Sequence, residues 1–377
     1  MLKQLKNIAL INQGLVNPFG FGEGIEGVNK AIEHLGYVQI DTLSVVERAH
    51  HHILWSRVPA YDVTHLNQLV SDKRIFEHWF HAASYLPMGD YRFALPLMNK
   101  VRNDTNKSVD QPLMNEILAR VRCEGALGVK GLDTSKKKKG SWWNWGPGKR
   151  AVERLFMQGD LMVSSRNGMQ KLYDLRERCL PDKVNLAEPT TREYALYLLE
   201  TTARAHGVFT WKQLLHLKTG KPMRDAMLEV LNERIDAGLI SVIEIDNSPC
   251  YYVFTDLLEQ EYRDANASVK ILSPFDNVLI HRERLQNLFA YDFKIECYVP
   301  ASKRKFGYFC LPILYNNKFV GRIDCKAHRT VERLEVISLH IEDDSVASEQ
   351  FSILVQRELQ NFANFNKCAN LKISPRD

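Results

Sequence analysis

The chain has 377 residues, of which 45% are hydrophobic and 25% charged, ordinary values for a globular protein with room for two or three domains. Seven scattered cysteines with no CxxC pair argue against a zinc ribbon and against a secreted disulfide framework. The net charge of +5 is mildly basic, compatible with nucleic acid without deciding for it.

The opening segment MLKQLKNIALINQGLV lacks an apolar run long enough for a signal core, and no segment approaches a membrane span. A reduced cytosolic compartment is expected. Residues 3 to 13 read as a helix. GVNKAIEHLGYVQIDTL, residues 27 to 43, reads as a helix ended by Gly36 and followed by a strand. There Gln39 and Asp41 alternate with Val38 and Ile40, so a strand puts both polar groups on one face. Two readings stand. One is a hydrogen-bonded network with Arg48 or Arg57 as ion partner; the other is a carboxylate that takes a proton from a water held by Gln39.

His50, His51 and His52 follow in a short helix, where they diverge and cannot share one metal; His50 and His51 are candidates to face a cleft. In FEHWFHAASYLPM, the residues Glu77, His78, Trp79, His81 and Tyr85 form a second cluster whose three- and four-residue spacing predicts one helix face. Packing histidines are the plain reading; Trp79, His81 and Tyr85 are the cleft candidates.

A helix over 112 to 122 leads to GLDTSKKKKGSWWNWGPG, residues 131 to 148. Lys136, Lys137, Lys138 and Lys139 suit phosphate contacts, and Trp142, Trp143 and Trp145 offer stacking surface. Alternatively the lysines are a solvated loop and two of the tryptophans are core. Lys149 and Arg150 open the next helix, where a phosphate would also meet free backbone N–H groups. Residues 149 to 175 repeat the helix, glycine, strand order with Gly159, and Asn167-Gly168 signals a tight hairpin. A helix over 191 to 205 precedes a third copy, residues 224 to 254, with Gly238.

Helix, helix, then a helix running into a hairpin is the order of a winged-helix module. Residues 268 to 345 carry short strand-like runs, as in a small barrel or sandwich, and 348 to 364 a capping helix. The expected fold is α+β: winged-helix modules over 1–105, with Gln39 and Asp41, 106–185 and 186–262, then a β-barrel with a terminal helix over 263–377.

LGYVQIDTLSVVERAHHHILWSRVPAYD, HWFHAASYLPM, ILSPFDNVLIHRER and RKFGYFCLPILYNNKFVGRIDCKAHR together resemble the AlkZ/YcaQ superfamily of winged-helix DNA glycosylases, over roughly residues 3 to 365. The resemblance implies three tandem winged helices plus a β-barrel, and excision of N7-alkylated purines, including the unhooking of guanine interstrand crosslinks. The family motif is Gln-x-Gln in one branch and Gln-x-Asp in the other. Gln39-Ile40-Asp41 matches the second, YcaQ-like form and makes Gln39 and Asp41 the catalytic pair. The family also sets a barrel hairpin against the minor groove; Lys303-Arg304-Lys305 and Asn316-Asn317 are the two candidates, with the basic run expected at an exposed hairpin tip. No lysine in the motif can form a Schiff base, so a monofunctional enzyme leaving an abasic site is implied, with no cofactor and no metal. A crosslinked guanine cannot be fully flipped, so an open cleft fits that substrate better than a snug pocket. The expected partner is double-stranded DNA bearing alkylated or crosslinked purines, met by a monomer away from membranes, in the cytoplasm and on the nucleoid if bacterial. The competing reading is a winged-helix transcriptional regulator, which leaves Gln39 and Asp41 without a role; an interaction scaffold predicts no salt-dependent DNA binding.

Overall fold

Helix ends fall where the glycines predict. Gly36 (φ +76°) terminates helix Gly24–Leu35, and Gly159 (φ +78°) follows helix Pro147–Met157. Both positions need the left-handed region, and a Cβ would run into Thr201 at the first and Met98 at the second. Close packing and backbone sign thus demand glycine together.

The computed structural model describes residues 1–16, 20–104, 110–129, 146–246, 248–261 and 267–374. The chain divides into two compact units, Met1–Tyr61 with Ala195–Asp377, and Asp62–Tyr194. The division at residues 61 and 62 falls inside the span expected for the first module.

In the first unit, residues 36 to 58 are tied to the C-terminal half by the SPFDN segment, residues 273 to 277. Buried Asp276 accepts from both terminal nitrogens of Arg57 at 2.7 Å. Asn277 donates to the Tyr37 carbonyl at 3.0 Å, and a His52 ring nitrogen lies 2.8 Å from the Ile271 carbonyl. Lys270 Nζ donates to the Ser56 carbonyl at 2.6 Å. Those polar links are shielded by a core in which Leu5, Ile8 and Leu10 of helix Leu2–Asn12 join Val208, Leu272 and Leu285. Residues far apart in sequence therefore share one hydrophobic interior.

The same unit carries a five-stranded sheet, in the order Val269–Ile271, Cys310–Tyr315, Lys318–His328, Arg333–Ile341 and Asn370–Ile373. Neighbours are antiparallel except the last pair, which is parallel. Helix Glu349–Phe365, N-capped by the Ser348 hydroxyl accepting from Phe351 N–H at 3.2 Å, contacts the first and last strands. The sheet curls around this helix as a half-barrel with linear strand order. A second sheet is ordered Val208–Phe209, Tyr251–Phe254 and Ile240–Ile243; helices Trp211–Leu214 and Lys221–Asp236 lie in the chain between its first strand and the hairpin of the other two.

The second unit packs helices Gln111–Glu124 and Pro147–Met157 on a sheet ordered Leu127–Gly128, Gln170–Leu175 and Leu161–Asn167. Ile117, Val121, Val152, Leu155, Leu161 and Tyr173 form its interior. The predicted tight hairpin is there, shifted by one residue: Asn167 pairs with Gln170, so Gly168 (φ +59°) and Met169 make the turn. Strands Ile75–Trp79 and Ala83–Pro87 form the unit's other hairpin. Among the described residues no helix is long and apolar enough to cross a membrane.

Candidate active site

The alternation read from YVQID survives in the burial. Val38 and Ile40 are buried while Gln39 and Asp41 are half-buried, so both polar groups keep access to one side. The strand itself is only Val38–Gln39. It ends early because Asp41 Oδ1 accepts from the Leu43 N–H at 2.8 Å, an Asx-type turn that takes the backbone out of extended geometry. Burial raises the Asp41 carboxyl pKa above its ordinary value, and the Leu43 N–H offsets part of that rise.

Of the network reading, the bond to nearby backbone is present but neither expected ion partner is. Arg57 is committed to Asp276, and Arg48 has Glu47 as its neighbouring carboxylate at 3.9 Å. No ion pair to Asp41 forms among the described residues. Asp41 therefore combines a turn-forming bond to the backbone with a half-buried carboxylate that no described cation neutralises.

The segment after Asp41 is fixed to the half-barrel. The Val45 carbonyl accepts from Ala327 N–H at 2.9 Å and the Ser44 carbonyl from Arg329 at 3.1 Å. The negative charge of Asp41 is felt by Cys297 and Tyr298. Partial desolvation first, then the Cys297 and Asp41 charges, raises the phenol pKa of Tyr298, a residue 74% exposed.

Two buried carboxylates brace this loop. Glu296 accepts from the N–H groups of Lys305 at 3.0 Å and Phe306 at 2.8 Å. Asp324 accepts from those of Tyr308 at 2.7 Å and Phe309 at 3.3 Å. Burial would raise the Glu296 carboxyl, but the N–H donors outweigh it and its pKa is lowered. This bracing corrects the expectation for the basic run. Lys303, Arg304 and Lys305 do not sit at a hairpin tip; Ala301–Lys303 is a 3-10 turn, and the N–H groups that a strand would use go to Glu296 instead. Arg304 Nε donates to the Val299 carbonyl at 2.8 Å and its guanidinium lies 4.8 Å from the Tyr308 ring centre, leaving Lys303 and Lys305 exposed. Asn316-Asn317 is the hairpin tip, with Asn316 at φ +53°, Ser268 N–H donating to its Oδ1 at 3.0 Å, and Asn317 Nδ2 donating to Asn7 Oδ1 at 2.9 Å.

The three histidines do lie in a helix, Ala49–Trp55, but the first two do not diverge. His50 is buried with its ring 4.3 Å from that of His51, and His51 Nδ1 lies 2.6 Å from the Tyr61 hydroxyl. Burial lowers the pKa of His52 to about 4, which marks it as a neutral core residue.

In the second unit the FEHWFHAASYLPM cluster is a hairpin, not a helix face. Glu77 and Tyr85 are cross-strand partners, and buried Glu77 accepts from Arg166 Nη2 at 2.7 Å. The three- and four-residue spacings were fortuitous, because a period of two with aromatic and β-favouring residues won. Trp79 is 49% exposed near the turn that holds His81, whereas Tyr85 and His78 are buried. Lys149 and Arg150 occupy the first turn of helix Pro147–Met157. Lys136, Lys137, Lys138, Lys139 and the three tryptophans after them lie outside the described residues.

Tyr298, Glu296 and Asp324 were not singled out from the sequence. Only IECYVP, with a glutamate and a tyrosine two apart in a strand-like run, carried a trace of them.

A family model described as DNA glycosylase AlkZ-like matches residues 32–365. Among solved structures, the Streptomyces sahachiroi DNA glycosylase AlkZ superposes with a TM-score of 0.61 and 15% identity, over 99% of this chain and 98% of that one. At that identity the likeness speaks for the fold. The family match spans both Gln39 and Asp41 and nearly all of the structure built around them, and the chain belongs to the AlkZ-like DNA glycosylase family.

Proposed function

We propose that this DNA glycosylase is monofunctional and removes N7-alkylated purines, including crosslinked guanines, through Gln39 and Asp41. One observation carries the reading: Asp41 is an accessible carboxylate with a raised pKa and no ion pair among the described residues, two positions after a half-buried glutamine. Alkylation at N7 makes guanine cationic, so the base leaves without needing an acid. Water oxygen bonds to C1′ as the C1′–N9 bond breaks; the departing base keeps the bonding pair, which cancels its charge. Asp41 stabilises the oxocarbenium-like sugar and takes the water's proton, while Gln39 holds that water. The motif supplies no amine for a Schiff base, so the product is an abasic site.

The Gln-x-Asp form assigns the chain to the YcaQ-like branch. We assign its helix-to-hairpin segments to winged-helix modules that grip double-stranded DNA as a monomer, with Lys149, Arg150, Lys303 and Lys305 at phosphates, and the half-barrel beside the minor groove. Trp79 and His81 of the second unit and His51 of the first remain candidates to meet DNA; Tyr85, buried against Glu77, and buried His50 are structural.

The experiment is incubation of the purified protein with a duplex carrying one N7-methylguanine, and with a nitrogen-mustard crosslinked duplex. Alkali cleavage and denaturing electrophoresis follow. Strand breaks at the methylated base with both crosslinked strands released is the expected result. Cleavage of the first substrate alone restricts the activity to monoadducts, and cleavage of neither removes the assignment.

A further inference from the structure

The first unit contains a cavity of about 400 Å³ that shares no lining residue with the Asp41 site. Trp211, Pro249, Tyr252 and Ile280 give it apolar walls, and Tyr252 is itself stacked on Phe209 with ring centres 5.7 Å apart. Lys212 and Arg284 give it two cations, and His216 and His281 two imidazoles. One lining carboxylate, Glu283, is held by Lys212 at 2.7 Å. The first-turn residues Arg282, Glu283 and Arg284 of helix Arg282–Phe289 also line it, and the N–H groups of a first turn have no acceptor within their own helix.

Arg284 is the telling residue. It is only 2% exposed, yet no carboxylate faces it among the described residues. Its Nε donates to the Val208 carbonyl at 2.9 Å and Nη2 to the His206 carbonyl at 3.4 Å, while Nη1 has no partner. Beside it, Gln213 accepts from Thr210 N–H at 2.9 Å through Oε1 and leaves buried Nε2 unpartnered. A buried guanidinium without a counter-charge is costly. The rings of His216 and His281, 4.8 Å apart, complete the lining with imidazole nitrogens. Arg282 does not contribute its charge here, since its guanidinium sits 4.6 Å over the Phe293 ring.

We infer that this cavity binds an organic phosphate of nucleotide size, with Arg284 and the helix start holding the phosphate and Trp211 and Tyr252 walling a planar base. Inorganic phosphate alone is far smaller than the space, which lies in the range of small-ligand sites, about 300–1,000 Å³. The ligand is presented either as a free nucleotide or as a terminal nucleotide of a DNA strand. Neither source depends on the glycosylase assignment.

The test is isothermal titration and thermal shift of the full chain with dGMP, with inorganic phosphate, and with an undamaged single-stranded oligonucleotide carrying or lacking a 5′-phosphate. Saturable binding of dGMP identifies the free nucleotide; binding of the 5′-phosphorylated strand alone identifies the strand end. In either case Arg284→Met is expected to weaken binding about tenfold or more, the scale of a lost charged contact. His216→Trp, which fills the cavity and keeps the arginine, should abolish it, and carries the test if the methionine variant does not fold. No saturable binding in any arm, binding by inorganic phosphate alone, or binding that both variants leave unchanged overturns the proposal.

Discussion

At Asp41 burial and the Leu43 N–H pull the carboxyl in opposite directions, and burial wins. The working base is the ionised form, so a raised pKa shifts the acid limb of the rate profile upward. Excision should therefore rise with pH through a midpoint above the usual carboxylate range, about 4. Asp41→Asn keeps the shape and loses both charge and basicity. Single-turnover excision of N7-methylguanine should drop about 10²–10⁴-fold and lose that pH limb, with duplex affinity nearly unchanged. Gln39→Ala should cost less, because other groups can still hold the water. An asparagine variant with the wild-type rate would remove Asp41 from the mechanism.

The elements show where sequence patterns inform and where they mislead. Gly36 and Gly159 were legible because a left-handed helix end admits few other residues. Glu77 to Tyr85 were misread because polar-aromatic spacings of three and four fit a helix as well as a two-period hairpin, and only the Glu77–Arg166 pairing across 89 residues decides. The 294–309 loop was misread for a similar reason. Its strand-like composition gave no hint that Glu296 would take the backbone N–H groups of Lys305 and Phe306. Bracing of that kind presents the lysines rigidly, since the backbone is held while Lys303 and Lys305 stay exposed. We expect Lys303→Ala with Lys305→Ala to raise the half-saturating enzyme concentration for excision. It should also flatten the salt dependence of duplex binding by up to about two units of log–log slope, near one per lost phosphate contact. Arg304 is left intact because it holds Val299 and Tyr308, so the melting temperature should not move. An unaltered salt slope would place these lysines in bulk solvent.

Over the whole molecule, stability rests on buried groups that hold their charge state only in the fold. Burial lowers the pKa of His34, His52 and His78 to about 4, against about 6.5 in an unfolded chain. Between those values the unfolded chain binds protons that the folded one refuses. Stability should be unaffected by these histidines above pH 6.5, fall as pH drops toward 4, and level off below it. Urea midpoints measured across that interval test this, and His52→Phe should shallow the fall.

The strongest dependence on a single pair lies at Arg57 and Asp276, which join residues 36–58 to the C-terminal half of their unit. Both side chains are fully buried, and Asp276 also caps helix Asn277–Ile280 by accepting from Val278 N–H at 3.1 Å. Asp276→Asn preserves volume and leaves Arg57 charged in the interior, at a cost of about 3–5 kcal/mol. Removing both charges, as Arg57→Met with Asp276→Asn, should recover part of that loss, because the uncompensated cation goes with its partner. Tyr37 and Asn277 lie within the same seam, so loosening it should also displace the Gln39–Asp41 segment. Excision per folded molecule is then expected to fall in the single variant and to return partly in the double. Urea unfolding beside single-turnover rates separates the effects, and a single variant as stable as wild type would show that the pair is not what holds the two halves of the unit together.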